Sequence, residues 1–244
     1  MDFSENLIPA RMIRRYKRFL ADVRLSDGSE LTVHCPNSGS MMGCVETDGP
    51  VLLSTAANPA RKYRHTLELV RVDGVWIGIN TSRTNALVRE ALENGVIDEL
   101  QPVAAIRAEV KVSARSRLDF LIDHDNGRTT YLEVKNCTLA ENGIAMFPDA
   151  VTSRGAKHLT ELIRLREEGN GAAVLFCVQR RDVRRFAPAA RIDPTYAAAL
   201  ANAAAKGVLV LAYRAEVGPT AIRLLHPLPV NLSGDPCGPG GRAT

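Results

Sequence analysis

Residues 116–136 constrain the fold most, because they predict a β-hairpin whose register follows from its turn. Apolar residues are frequent on both sides of the turn sequence Asp-Asn-Gly at 125–127. A three-residue turn with Gly127 in the left-handed conformation is a common hairpin connection. It places Asp119 directly opposite Glu133, whereas a turn one residue shorter would send Asp119 to the other face.

Two acids and a lysine on this hairpin predict a divalent-metal site. Glu133 and Lys135 are two positions apart, so their side chains leave the same strand face. Carboxylates that face each other across a ladder repel, and a cation between them removes that cost. We predict that Asp119 and Glu133 hold Mg²⁺ or Mn²⁺, with the Val134 carbonyl as a further ligand. Lys135 would orient the attacking water, and Glu90 on the preceding helix would complete the catalytic set.

The first part of the chain reads as β-structure. Strand patterns occur at 16–25, 30–35, 51–54, 66–71 and 75–79. Short strands with Gly-containing turns predict a small closed barrel in residues 1–81, and an OB-like β-barrel is one such fold.

The remaining chain alternates helices and strands, so residues 82–230 predict an α/β domain with a mixed sheet. Strands are expected near 106–113, 117–123, 129–135, 172–179, 208–213 and 221–225. Helices are expected from Thr84 or Asn85 to Asn94, over 154–168 with Ser153 as its cap, and from Pro194 to Gly207. Residues 231–244 are rich in Gly and Pro and predict a disordered tail.

Clustered basic residues predict a nucleic-acid partner, although the net charge is only +4. DNA fits this pattern, RNA fits it as well, and the plain alternative is a solvated basic surface. The predicted DNA-binding residues are Arg14, Arg15, Lys17, Arg18, Arg61, Lys62, Arg64, Arg154 and Lys157.

The sequence also indicates a compartment. Five cysteines stand singly and form no CxxC pair, which disfavours both a zinc site and a disulfide framework. The first twenty residues do not resemble a signal peptide, and no apolar run reaches membrane-spanning length. We expect a cytoplasmic protein without a membrane partner, and its oligomeric state stays open.

Six stretches of this sequence carry a resemblance to a known family. They are HCPNSGSMMG (34–43), TLELV (66–70), WIGINT (76–81), SRLDF (116–120), LEVKN (132–136) and FPDAVTSRGAKHLTEL (147–162). In this order they resemble the sugar fermentation stimulation protein family, from about Tyr16 to Tyr213. The resemblance implies an N-terminal OB-like domain and a C-terminal PD-(D/E)XK nuclease-like domain. It also implies non-specific DNA binding and a proposed role in regulating maltose or sugar metabolism.

The resemblance extends to particular residues. Asp119, Glu133 and Lys135 match the nuclease-like signature, and Glu90 matches the helical acid more loosely. His158 and Glu161 fall on the helix that borders such sites.

Two other functions remain open at this stage. One is a non-enzymatic DNA-binding regulator that keeps a nuclease scaffold. Paired carboxylates facing a phosphate backbone argue against it, because they would weaken binding without a metal. The other is a carbohydrate sensor, which the single Trp76 and an aromatic content of 5% disfavour.

Overall fold

The computed structural model describes residues 1–114 and 116–233. The predicted tail therefore lies, from residue 234 onward, outside the described residues. The fold is mixed α/β, with an N-terminal barrel followed by a sheet domain, as the sequence predicts.

The barrel closes through an extra pairing between two strands that are not neighbours in sequence. Its sheet has the order β3-β2-β1-β4-β5-β6, and His34 on β3 pairs with Thr66 on β5. The interior contains small and medium apolar side chains such as Val23, Val33 and Leu67. The strands are β1 (Ile8–Tyr16), β2 (Leu20–Leu25), β3 (Glu30–His34), β4 (Pro50–Thr55), β5 (His65–Val72) and β6 (Val75–Gly78).

The first strand was not predicted, and the strand expected at 16–25 begins only at Leu20. Lys17 and Arg18 have φ values of 49° and 61°, so the chain turns there between β1 and β2. The register between β1 and β2 shifts between Met12 and Arg14. This irregularity breaks the alternation of apolar and polar residues that would have identified β1.

The sheet domain has three layers. Its mixed sheet has the order β15-β14-β12-β9-β8-β7, in which β12 runs parallel to both β9 and β14. The strands are β7 (Ala105–Ser113), β8 (Ser116–Asp123), β9 (Thr129–Cys137), β12 (Gly171–Val178), β14 (Leu209–Val217) and β15 (Ile222–Pro227). The helix α1 (Thr84–Glu93) covers one face, and α2 (Ser153–Glu167) and α3 (Pro194–Ala205) cover the other.

The helix caps differ from the predicted ones. Thr84 and Asn85 lie inside α1, which continues from a 3₁₀ turn whose cap is Asn80. Ser153 is the first residue of α2, and the side chain of Thr152 accepts the capping bond from the Gly155 N–H. Ser, Thr and Asn are all favoured at helix caps, and such residues occupy neighbouring positions at the start of both helices. Sequence alone therefore places these helix starts only to within a residue or two.

A small second sheet was not predicted. It consists of β10 (Leu139–Glu141), β11 (Ile144–Phe147) and β13 (Arg185–Pro188). β11 and β13 pair in parallel although about forty residues separate them, so local periodicity does not reveal the partner.

Two expectations about the environment of the chain can be compared with the structure. No helix in residues 1–114 or 116–233 is both long and apolar enough to cross a membrane. The four cysteines among these residues, Cys35, Cys44, Cys137 and Cys177, are free and buried.

Candidate metal centre

The hairpin of β8 and β9 has the predicted register. Phe120 pairs with Leu132, and the pairing continues to Asp123 and Thr129. The turn has Gly127 with a φ of 77°, as a three-residue connection requires. The ladder ends at Phe120, and the same register carried one residue further places Asp119 opposite Glu133.

Asp119 is held by two hydrogen bonds to its carboxylate. The Val134 N–H donates to Oδ2 at 2.7 Å, so this side chain takes the place of a main-chain ladder bond. The Asn85 amide, on α1, donates to Oδ1 at 2.9 Å. Burial and the charge of Glu133 raise the pKa of Asp119, and these two hydrogen bonds oppose the rise.

Glu133 is almost fully buried, with 4% of its surface exposed. Its Oε1 accepts hydrogen bonds from Lys135 Nζ, at 2.6 Å, and from His158 Nδ1. Burial alone would raise the pKa of this carboxyl, but the His158 hydrogen bond and the Lys135 charge outweigh burial and lower it. Its Oε2 is buried and has no hydrogen-bond partner among residues 1–114 and 116–233.

Both carboxylates line one cavity of about 610 Å³, together with Val134, Lys135 and His158. An unpaired buried carboxylate oxygen is costly, and a cation would satisfy it. In the described part of the chain, no group of three or more His, Cys, Asp or Glu is arranged to hold a metal. Two carboxylates that line one cavity fit Mg²⁺, because that ion commonly binds few carboxylates and keeps several waters.

Glu90 is wrong as a member of this site. Its Oε1 accepts a hydrogen bond from the Met1 amino group at 2.5 Å and lies 3.7 Å from Arg223 Nε. It does not line the cavity. Asn85 contacts Asp119 instead. Asn85 and Glu90 are five positions apart, which corresponds to about 140° of rotation around the helix, so their side chains leave different faces of α1.

The two residues on α2 have different roles. His158, 7% exposed, lies between Glu133 and Arg154, whose Nε is 3.5 Å from His158 Nε2. Glu161 accepts a hydrogen bond from Ser113 Oγ and pairs with Arg164, so it ties α2 to the end of β7.

Of the predicted DNA-binding residues, Arg154 lines the cavity. Lys157 is exposed on the same helix, outside the cavity lining. None of the barrel residues lines this cavity. Those barrel residues are Arg14, Arg15, Lys17, Arg18, Arg61, Lys62 and Arg64.

The structure gives Arg15 a different task from the predicted one. Its Nη2 donates to the carbonyl oxygens of Arg18, Asn37 and Gly39 at 2.8–2.9 Å. Its guanidinium therefore holds the turn that follows β3. The sequence could not show this, because an arginine that binds backbone carbonyls looks the same as one that faces solvent.

Three of the other barrel cations have local partners. Arg14 pairs with Asp22 at 2.8 Å, and Arg61 Nη2 is 3.1 Å from His34 Nδ1. Lys62 lies over the ring of Tyr63. The remaining three are exposed on the surface of the barrel: Lys17, Arg18 and Arg64.

Asp119→Asn is expected to stabilise the metal-free protein. The raised pKa of Asp119 means that its ionised form costs stability, and this cost is complete at a pH above the folded pKa. Asn accepts from Val134 N–H, and the Asn85 amide rotates to accept from the new side-chain N–H. In EDTA the thermal midpoint of the variant should exceed that of the wild type at neutral pH. The gap should close as pH falls through the Asp119 pKa.

The matched control is Asp123→Asn, on the same strand, where the carboxylate pairs with Arg107 at 3.0 Å on the surface. This change should leave the midpoint unchanged or slightly lower it. A lower midpoint for Asp119→Asn than for the wild type in EDTA at neutral pH would contradict the electrostatic account.

Comparison with known proteins gives consistent matches over most of the chain. The family model described as the SfsA N-terminal OB domain matches residues 13–79. The model described as the sugar fermentation stimulation protein RE domain matches residues 82–221.

Individual relatives match over nearly their whole length. A sugar fermentation stimulation protein homolog of Desulfotalea psychrophila is 51% identical and covers 96% of each chain. One of Pelobacter propionicus is 55% identical over 93% of this chain and 98% of its own. The solved structure of Pyrococcus furiosus SfsA in complex with Ca²⁺ superposes with a TM-score of 0.86 at 28% identity, covering 95% of this chain and 98% of that one.

Proposed function

Because this chain belongs to the sugar fermentation stimulation protein family, we propose that it binds nucleic acid and carries a divalent-metal site of nuclease type. One observation carries the proposal. The unpartnered, buried Oε2 of Glu133 belongs to a carboxylate that shares a cavity with Asp119 and with cationic side chains. A cation satisfies this oxygen, and a phosphodiester satisfies the surrounding positive charges.

Asp119 and Glu133 would hold Mg²⁺ or Mn²⁺, with the Val134 carbonyl beside them. The bound ion would lower the pKa of a water and offset charge on the phosphate. Asn85 and the Val134 N–H fix the Asp119 carboxylate, while His158 fixes that of Glu133. Lys135, whose Nζ lies 2.6 Å from Glu133 Oε1, would orient the attacking water and offset phosphate charge.

The Ca²⁺ complex of the Pyrococcus furiosus protein supports the proposal that this chain binds a divalent cation. Ca²⁺, Mg²⁺ and Mn²⁺ all prefer oxygen ligands, and the donor set proposed here consists of oxygens. The scarcity of aromatic residues favours a polyanion over a sugar as the ligand of this chain.

The test is a cleavage screen with the full chain against single-stranded DNA, duplex DNA and RNA. Each substrate is incubated with Mg²⁺, with Mn²⁺ and with EDTA. We expect cleavage that requires the metal. Absence of cleavage of every substrate by a pure preparation would overturn the nuclease activity, and binding without cleavage would identify a non-enzymatic DNA-binding regulator.

Lys135→Ala is expected to lower the cleavage rate by about 100-fold or more, the usual size of a positioned acid–base group. Stabilisation by Mn²⁺ should persist in this variant, because both carboxylates remain. The control is Lys206→Ala, whose ammonium lies outside the cavity, 3.9 Å from Glu167. A Lys135→Ala rate close to that of Lys206→Ala would refute the role of Lys135.

A further inference from the structure

We propose that Lys111, Arg117 and Arg154 form a phosphate-binding wall that holds the backbone of a nucleic-acid strand over the carboxylate pair. The inference rests on the proposed function and deepens it, because it names the residues that select a polyanionic strand. All three side chains line the cavity that contains Asp119 and Glu133.

The first argument is a like-charge pair across two strands. Lys111 on β7 pairs in register with Arg117 on β8, and both side chains are exposed on the cavity. Like charges directly opposite one another on neighbouring strands destabilise a sheet. A phosphate between them turns this repulsion into attraction, just as a metal does for the two carboxylates.

The second argument is the lack of acidic partners. Within residues 1–114 and 116–233, neither Lys111 nor Arg117 forms an ion pair. Two of the three acids in the same lining have other partners. Asp119 accepts from the Asn85 amide and the Val134 N–H, and Glu133 accepts from Lys135 and His158. The third, Glu109, lies two positions before Lys111 on β7 and forms no ion pair with it among the described residues. A cation in a concave site without a carboxylate partner is available to an anionic ligand.

The third argument is the rigidity of the frame that carries the wall. Ser113 Oγ donates to Glu161 Oε1 at 2.9 Å, and Arg164 Nη2 donates to the Val112 carbonyl at 3.1 Å. These bonds fasten the end of β7 to α2, the helix that carries Arg154. The main-chain segments that carry the three cations are therefore held together around one cavity, which lowers the entropic cost of binding an extended ligand.

The charge balance of the cavity links this wall to the metal. Among the residues that the structure describes, four cationic side chains line it, namely those of the wall and Lys135, against the three acids Glu109, Asp119 and Glu133. The lining is thus nearly balanced, and a divalent ion would add two positive charges. We expect the strand to bind more tightly with Ca²⁺ than in EDTA.

The experiment measures affinity for fluorescent oligonucleotides by anisotropy, with the full chain in Ca²⁺ over a range of salt concentrations. The Lys111→Ala/Arg117→Ala double variant should lower the slope of log affinity against log salt by roughly 1.8 on duplex DNA, about 0.9 per lost phosphate contact. On single strands the loss should be roughly 1.4, about 0.7 per contact. The Lys111→Arg variant should keep the wild-type slope.

Two matched variants make the test specific. Arg107→Ala removes a cation from the same strand, β7, but Arg107 pairs with Asp123 and does not line the cavity. Its slope should equal that of the wild type. Glu109→Gln removes an acid from the cavity lining, so it should strengthen binding rather than weaken it.

The outcomes separate this proposal from the proposed function. A double variant that binds like the wild type, or an Arg107→Ala loss as large as that of the double variant, overturns the wall. In either case, intact metal-dependent cleavage by the wild type would leave the proposed function standing. A wild type that binds no nucleic acid with Ca²⁺ overturns both, and thermal midpoints verify that each variant is folded.

Discussion

Glu133→Gln is expected to abolish stabilisation by Mn²⁺ and to lower cleavage by at least about 100-fold, since even an outer partner of a metal ligand contributes about 10–100-fold. The neutral amide keeps an oxygen at the position of Oε1, where Lys135 and His158 donate. It replaces the unpartnered Oε2 with an amide NH2, which has no free lone pair to offer Mg²⁺ or Mn²⁺. The change therefore removes the site and keeps the local packing.

The measurement is the thermal midpoint with and without Mn²⁺. At a metal concentration of 100 times Kd, the wild type should gain about 2.7 kcal/mol, and Glu133→Gln should gain nothing. The control is Glu167→Gln, an exposed acid outside the cavity, which should gain as much as the wild type. If Mn²⁺ stabilises all three proteins equally, the metal binds elsewhere. If Mn²⁺ stabilises none of them, the metal does not bind.

Glu68→Ala is expected to produce the largest loss of stability, about 3–5 kcal/mol, the usual cost of breaking a buried ion pair by removing one partner. Glu68 is 2% exposed and accepts hydrogen bonds from Arg83, at 2.6 and 2.9 Å. It also accepts from Asn80 Nδ2 at 2.8 Å and from Ser54 Oγ at 2.6 Å. Truncation leaves all these donors without an acceptor, at the junction where the barrel leads into α1.

Urea unfolding followed by circular dichroism measures this loss. Asp123→Ala, which breaks an exposed pair with Arg107, should cost about 0–1 kcal/mol. If Glu68→Ala does not fold, Glu68→Gln keeps the shape and part of the hydrogen bonding and should still be less stable than Asp123→Ala. A Glu68→Gln protein as stable as Asp123→Ala would show that the charge of Glu68 contributes nothing at the junction.

Local patterns predicted a large part of the fold and the centre of the site. Glycine in a three-residue turn sets the register of β8 against β9, and this register brings Asp119 to Glu133. The buried strand β12 and the Pro-initiated helix α3 likewise follow from apolar runs and end signals in their own segments. These features depend on neighbours in sequence, so composition and periodicity are sufficient.

Tertiary packing decided the features that connect distant segments. Leu87, Val88 and Leu92 seat α1 on the sheet, and the resulting rotation presents Asn85 to Asp119 and turns Glu90 away. Packing likewise places the Arg15 guanidinium where it donates hydrogen bonds to backbone carbonyls. The position of Arg15 in a basic cluster of the sequence does not reveal this role.

The sequence by itself determined that two carboxylates meet across a hairpin, because strand register is a local property of turn and alternation. Only the tertiary structure decided which helix residue supports them and which cations surround them. The physical reason is that the rotation of a helix about its axis, and the approach of α2 to β7, are set by side-chain packing between segments far apart in sequence.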